Sequence, residues 1–301
     1  MKTVRLRVPA TSANLGPGFD AIALALDLFL EIEATPAQAF AISATGRNQD
    51  ICGGLSGNLL IETYRATLVE EQKPVVPLDF RVHNEIPVGM GCGSSAAVRL
   101  AGVALASIFG HLHWDAAAIV ERAARLEGHP DNVAACWHGG LTVAADASQV
   151  ATVSIPPPSD WRAVLVLPDT PVATAKARAI LPERYSLQDV VASVQNVALL
   201  TAAFATGRHD LMHLATRDCL HQPYRNGLCP LLPALLPLAG THGVISVTLS
   251  GAGPAVLLLT RVSTEGSTLQ QAITQMVRPV CKVEILPAGL SPHGAEVQTE
   301  G

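Results

Sequence analysis

The sequence predicts an α+β fold built in two halves. Three observations predict it. Strand-like alternation and helix-like apolar spacing interleave along 301 residues, with no internal repeat at solenoid periods. A Pro156-Pro157-Pro158-Ser159-Asp160 run interrupts the pattern near mid-chain and divides it into residues 1–157 and 158–301. Hydrophobic residues make up 49% and charged residues 15%, enough apolar material for a sizeable core.

The elements follow in order. Val4 to Val8 alternates as a half-buried strand. Pro9 to Asp20 holds two Gly, two Pro and an Asn, which predicts a structured loop with Asn14 and Asp20 as its chemical side chains, unless both only form turns. Ala21 to Phe29 is a short apolar helix or strand, and Leu30 to Ala34 alternates as a strand. Gly53 to Asn58 is a loop that opens a helix over Leu59–Glu71, with Asn58 at its N-cap. Leu78 to Asn84 is a strand, and Ala96, Leu100, Val103, Ala104 and Ile108 recur at helical spacing. A further helix, capped around Asp115, runs to about Leu126 and ends in the polar stretch Glu127–Asn132. A strand starts near Gly139.

In the second half, Trp161–Leu167 is a strand, Thr174 starts a short helical stretch, and Asp189–Thr206 is a long apolar helix. His209 and His213 stand four apart, as helical zinc pairs do, but no third ligand is near, so they read as helix surface. Tyr224-Arg225 falls in a loop. Ile245–Leu249 and Val256–Leu259 are strands around a Ser250–Ala255 turn. Thr268–Met276 is a helix, Cys281–Leu286 a last strand, and 291–301 a solvated tail.

Composition excludes some function classes. A net charge of −5 and the lack of a basic stripe give no pull toward nucleic acid or anionic membrane. No uninterrupted apolar run has membrane-spanning length, and the first residues lack a signal-peptide core. Six scattered cysteines without a C-x-x-C predict reduced thiols and a cytoplasmic protein.

One stretch concentrates the chemistry: Pro87-Val88-Gly89-Met90-Gly91-Cys92-Gly93-Ser94-Ser95-Ala96. Its glycines lie between a strand and a helix, where unpaired backbone N–H groups and the helix dipole suit a phosphate. Ser94 and Ser95 can cap the helix, and either hydroxyl could reach Mg2+. The pattern is neither the Lys-containing ATPase loop nor the dinucleotide fingerprint nor a hydrolase elbow. On local pattern alone, a tight strand-to-helix turn is the competing reading.

Three motifs in order, Pro9–Asp20, the glycine loop and Ser-Gly-Ala-Gly-Pro-Ala at 250–255, together resemble the GHMP kinase superfamily over nearly the whole chain. PATSANLGPGFD with GHPDN at 128–132 is most similar to its homoserine kinase branch, as are Thr174-x-x-x-Arg178 and Tyr224-Arg225. The resemblance implies a two-domain sandwich with the nucleotide between the domains. It implies ATP-dependent phosphorylation of the L-homoserine hydroxyl, with Pro87 through Ala96 around the ATP phosphates and Asn58 near the adenine. Asn14 would touch the substrate hydroxyl and Asp20 hold its ammonium. His129, Asp131 and Thr174 would line the same pocket, and Arg178 and Arg225 would clamp the carboxylate. An ammonium needs an acidic partner and a carboxylate suits guanidinium forks. Asp131 acts as a base or orients the hydroxyl, with orientation favoured because a loose transition state gains little from early proton removal. Mg2+ would sit on Ser95 and an acidic side chain, Glu121 preferred over Glu127. Asn196 stands where the branch often has Arg, which questions contacts from the long helix. The other readings are a kinase of another small alcohol such as L-threonine, and a silent nucleotide or ligand sensor on the same fold. A homodimer is a further implication.

Overall fold

In the computed structural model, which describes residues 3–147 and 149–300, the chain opens on a long hairpin. β1 (Thr3–Asn14) and β2 (Gly18–Pro36) pair antiparallel from Val4↔Ala34 to Asn14↔Gly18. The Pro9–Asp20 stretch is therefore mostly strand, not the loop its composition predicts. Ala10, Thr11, Ser12 and Ala13 are all buried, and register shifts after Pro9 and Ala13 absorb the irregularity. Small residues let a helix lie directly on the strands: Ala13, Ala23 and Ala135 form one cluster. The turn itself needs left-handed backbone at Asn14, Leu15 and Gly16, with φ of 72°, 45° and 84°. The apolar segment 21–29 and the strand 30–34 are one element, β2.

β3 (Ala41–Gly46), α1 (Gln49–Cys52) and α2 (Leu59–Glu70) follow. Asn58 caps α2, its Oδ1 accepting from the N–H groups of Leu60 and Ile61. β4 (Leu78–Asn84) pairs antiparallel with β2 and parallel with β3. Its alternation buries Leu78, Phe80 and Val82. α3 (Ser94–Phe109), α4 (Ala116–Glu127) and α5 (Asp131–His138) precede the hairpin of β5 (Leu141–Asp146) and β6 (Val150–Ile155), which joins the sheet through β2. α3 is buried along most of its length, so Ala and Gly dominate where it meets α2.

The second sheet runs β10-β7-β9-β8 and is antiparallel throughout. Its members are β7 (Trp161–Pro168), β8 (Val244–Leu249), β9 (Val256–Arg261) and β10 (Val283–Ala288). Between β7 and β8 come α6 (Thr174–Ala179), α7 (Leu187–Ala205), α8 (His209–Ala215), α9 (Gln222–Arg225) and α10 (Leu231–Leu235); α11 (Gly266–Val277) follows β9. The tail predicted as solvated instead returns to the first sheet. β11 (Glu296–Glu300) pairs antiparallel with β1, while Ser291 N–H donates to Ala25 and Ser291 C=O accepts from Gly140. All five β11 side chains are exposed, so backbone pairing places it and no hydrophobic pattern announces it.

The glycine loop, 85–93, links β4 to α3 and rests on the turn between β8 and β9. Ser250 Oγ donates to the Gly91 carbonyl at 2.8 Å, and Ala255 N–H donates to the Met90 carbonyl at 3.2 Å. At Gly91, φ is +80° and a Cβ would lie 2.1 Å from the Ser250 carbonyl oxygen. Backbone cannot yield as a side chain tip can. Gly91→Ala is therefore expected to lower stability by roughly 2–5 kcal/mol, from strain plus overpacking. A denaturant midpoint equal to that of the unmodified protein would refute the close approach.

Candidate active site

The hairpin turn, the glycine loop, the α4–α5 junction, α6, α9 and the β8–β9 turn meet around one cavity of about 120 Å³. Asn14, Asp20, Gly89, Gly91, Cys92, Gly93, Ser94, Ser95, His129, Asp131, Thr174, Arg178 and Arg225 all line it. A second cavity of about 500 Å³ continues past Gly89, Ser94 and Ser95 toward Asn58, Ile51, Cys52 and Leu60. Thus the first cavity is polar and narrow, the second apolar and wide, and the glycine loop lies between them.

The loop ends at Gly93, the N-cap of α3, with φ of 70°. The serine cap expected from sequence does not form; Gly93 has no side chain to cap with, and Ser94 is already helical. Among the described residues, the N–H groups of Ser94, Ser95 and Ala96 donate no hydrogen bond, so the first turn of α3 presents free donors and its positive dipole end. Pro87 and Ala96 are buried and Met90 packs on the core, so these three side chains stand behind the loop surface. Cys92 is buried too, and burial pushes its thiol up to about 12.

Ser95 Oγ donates to Glu127 Oε2 at 2.8 Å, and Arg99 Nε reaches the same oxygen at 2.8 Å. Glu127 is the last residue of α4 and lines the polar cavity. Glu121, the carboxylate preferred from sequence, does not; it pairs with Arg125 on α4. Six residues of helix put the two carboxylates about 240° apart around the axis, so only one can face Ser95.

Asp131 opens α5 and is 1% exposed. Its Oδ1 accepts from His129 Nδ1 at 2.5 Å, from Asn132 N–H at 2.7 Å and from Asn132 Nδ2 at 3.3 Å. Its Oδ2 has no hydrogen-bond partner among the described residues. Burial works against a charged His129, but its hydrogen bond to Asp131 and the charges of Asp131, Asp20 and Glu127 outweigh it and raise the His129 pKa. Asn132 Oδ1 in turn accepts from Thr11 Oγ1 at 2.6 Å. Asp20, His129 and Asp131 bring ligand atoms within 4.8 Å of one another. Yet Asp20 is taken by Arg178 and Asp131 Oδ1 by His129, so their own hydrogen bonds already account for this cluster.

At the other end, Arg178 forks onto Asp20 with contacts of 2.9 and 2.5 Å. Asn14 is held at both ends, its Nδ2 donating to the Gly251 carbonyl at 2.9 Å and its Oδ1 accepting from Asp20 N–H at 3.1 Å. Arg225 lies in α9, not in a loop, and is buried. Its Nε donates to the Ala177 carbonyl, and its Nη1 to Gly251 and to His221 Nδ1. The two guanidiniums flank the Phe19 ring, 5.3 and 5.4 Å from its centroid. Burial, and then repulsion from Arg178, lower the Arg225 pKa, the mark of a cation short of negative charge.

Sequence reasoning missed His221, Phe19 and Asn132. His221 sits one helical turn before Arg225, and Phe19 immediately precedes Asp20; those spacings were the available signal. Asn196 turns away from the cavity, its Nδ2 donating to the Arg217 carbonyl. His209 and His213 are exposed on α8.

The chain is similar to known proteins over most of its length. Residues 58–140 match the model of the GHMP kinases N terminal domain, and residues 200–278 match GHMP kinases C terminal. A homoserine kinase of Solibacter usitatus is 44% identical over 257 residues, covering 84% of each chain. One from a Thermus thermophilus strain is 39% identical over 90% of this chain and 91% of its own. One from a Synechococcus strain is 33% identical over 99% of both. Among solved structures, a homoserine kinase from Cytophaga hutchinsonii superposes with a TM-score of 0.79 over 98% of this chain and 97% of its own, at 24% identity. A Lactococcus lactis galactokinase complexed with galactose gives 0.68 over 98% and 95%, at 14% identity, a likeness of fold.

Proposed function

The chain belongs to the GHMP kinase family, in company with the homoserine kinases, and from that premise we propose how its site works. It is an ATP-dependent kinase that phosphorylates the hydroxyl of L-homoserine, giving O-phospho-L-homoserine for threonine synthesis. The observation that carries the substrate reading is one pocket holding Asp20, Arg178 and Arg225 around Phe19, beside a loop of free N–H groups.

In this reading the adenosine occupies the wide cavity near Asn58, and its phosphates lie on Gly89 through Ala96 at the start of α3. The amino acid occupies the narrow cavity. Asp20 takes the ammonium, and Arg178 and Arg225 take the carboxylate. Substrate would replace the Asp20–Arg178 contact with two contacts of the same signs. The hydroxyl points to Asp131 Oδ2 and Asn14 Nδ2, toward the γ-phosphate. Asp131 orients it and accepts its proton late, because phosphoryl transfer rests on positioning and charge. His129 fixes Asp131 through Oδ1.

Mg2+ fits the donor set of Ser95 Oγ and Glu127, two hard oxygens beside the phosphate end of the loop. When bound it would neutralise phosphate charge. A cytoplasmic setting and a homodimer belong to the same reading. The free state of all six cysteines supports the first.

The test is ADP release with magnesium-ATP over L-homoserine, L-threonine, L-serine, mevalonate and galactose. A kcat/KM preference for L-homoserine is expected. Preference for L-threonine would keep the ATP site and reassign the pocket around Asp131. ATP binding without turnover of any alcohol would favour a sensor. Within the assay, Asp20→Asn is expected to raise the homoserine KM by about 10–100-fold, the usual loss for a charged hydrogen bond. ATP affinity should hold. An unchanged homoserine KM would remove Asp20 from the ammonium site.

A further inference from the structure

The active site lies where β9 begins, and a separate cavity lies where it ends. β9 is six residues long, about 20 Å. The turn before it holds the glycine loop. Around its last residues, β7, β10 and the first half of α11 border a cavity of about 650 Å³. That volume falls among those of small-molecule sites. The cavity shares no lining residue with either cavity of the active site. Val164, Leu269, Ile273, Ile285 and Pro287 give it aliphatic walls.

Two polar side chains meet in it. Arg162 on β7 and Thr260 on β9 stand directly opposite each other, on the face that carries Val164 and Leu258 toward α11. Residues so paired have Cβ atoms about 4.5–5.5 Å apart. Thr260 is 3% exposed, and its hydroxyl has no hydrogen-bond partner among the described residues. A buried hydroxyl without a partner is costly to keep. Arg162 Nη1 is anchored to the Ser159 and Trp161 carbonyls at 3.1 and 2.7 Å. Its Nε and Nη2 have no partner among the described residues, so the guanidinium is aimed but unspent. No carboxylate among the described residues lines the cavity. Asp160 pairs with Arg261 at 3.6 Å, and Glu265 accepts from the hydroxyls of Ser267 and Thr268 at the head of α11. Asp27 lies against Gly289 but does not line the cavity.

We propose that this cavity binds an aliphatic α-keto carboxylate, its carboxylate on the Arg162 fork and its keto oxygen on the Thr260 hydroxyl. Such an acid carries both oxygen groups on adjacent carbons, so one end of the ligand meets both side chains. Its hydrocarbon body lies on Val164, Ile273 and Ile285, removed from water. Charge and polarity exclude the alternatives. An α-amino acid would bring an ammonium to a cavity without a carboxylate. The active-site pocket has the opposite design, with Asp20 beside Arg178. A nucleotide would press several negative charges on aliphatic walls. A plain fatty acid would leave the Thr260 hydroxyl unpaired.

Isothermal titration calorimetry of the full chain with three acids of one carbon skeleton tests this: α-ketoisocaproate, isocaproate and L-leucine. The keto acid should bind once per chain, and each of the other two about tenfold or more weakly. Arg162→Ala should weaken the keto acid at least about tenfold. Thr260→Val keeps the shape and removes the hydroxyl. It should weaken the keto acid about tenfold and leave isocaproate unchanged. Far-UV circular dichroism and the thermal midpoint verify that both variants fold. Absence of keto-acid binding at millimolar concentration overturns the proposal, as does equal binding of isocaproate or L-leucine. Keto-acid binding that survives Arg162→Ala but is lost in Arg225→Ala would place the ligand in the active site and overturn it equally.

Discussion

Arg225→Ala is expected to lower kcat/KM for L-homoserine on the order of 10³-fold, about 4 kcal/mol of transition-state binding. The size follows from burial. Arg225 is 1% exposed, and its guanidinium is directed by three fixed acceptors: the carbonyls of Ala177 and Gly251 and the ring of His221. Its Nη2 has no hydrogen-bond partner among the described residues. Truncation takes the side-chain donor from the Ala177 carbonyl and from His221 Nδ1, the Gly251 carbonyl keeping Asn14 Nδ2, as well as removing the cation, and both effects add to the loss. Arg225→Lys keeps the charge, guarding against a variant that merely fails to fold. An ammonium cannot reach three directions in a plane, so Lys should recover less than a tenth of the activity. Unchanged ATP affinity would locate the defect in the amino-acid pocket. A kcat/KM within about tenfold of the unmodified protein would refute the clamp.

The same cluster carries a pH dependence. His221 Nε2 lies 2.8 Å from the Gly16 carbonyl, which can only accept, so Nε2 carries the proton and Nδ1 accepts from Arg225. Protonating Nδ1 would set N–H against N–H. Burial, more than any charge, pushes the His221 pKa down to about 4. A depressed pKa supports the fold above the ordinary value of about 6.5, and that support is lost as pH falls toward 4.

What the sequence revealed, and what it hid, divides by physical cause. The glycine loop, β4, α2 and α3 were legible because each has a strong periodic or steric signature. β4 matches its expected residues, Leu78–Asn84, without a shift. Pro9–Asp20 misled because buried Ala, Ser and Thr are the residues of a close helix–strand contact and also of a loop. The alternation Phe40, Ile42, Ala44 leads into and through β3, a short signal that the surrounding polar residues dilute. β11 was illegible, since its exposed side chains encode nothing about the backbone pairing that holds it. At the site, the resemblance named the candidate residues, while geometry places Glu127 and not Glu121 in the cavity beside Ser95 and brings in His221. A ligand assignment from spacing cannot say which side of α4 a residue occupies unless the end of the helix is known. That end is Gly128, left-handed at φ 89°.

Asp131 poses the mechanistic question, and paired substitutions answer it. Asp131→Ala is expected to lower kcat about 10³-fold, and Asp131→Asn only about 10–100-fold. The expectation rests on the two oxygens. Oδ1 is filled by His129 and Asn132, while Oδ2 has no hydrogen-bond partner among the described residues and takes the hydroxyl in the proposed pose. Orientation needs only a hydrogen-bonding group at the Oδ2 position. In the Asn variant the N–H groups of Asn132 hold the amide oxygen at the Oδ1 position, and its Nδ2 takes the Oδ2 position, where it can still donate to the hydroxyl oxygen. A general base needs a proton sink, which Asn cannot be. Equal losses in Ala and Asn would therefore establish proton abstraction as the main role and overturn orientation. The imidazole reports on the same pair. The raised His129 pKa means that its bond to Asp131 stabilises the fold fully below about pH 6.5, with that support lost as pH rises through the raised value. In Asp131→Asn the His129 titration followed by NMR should shift down. The stability difference between the two proteins should be largest in acid and shrink in alkali. A His129 midpoint unmoved by the substitution would mean that Asp20 and Glu127, not Asp131, hold the proton there, and that the dyad is not a unit.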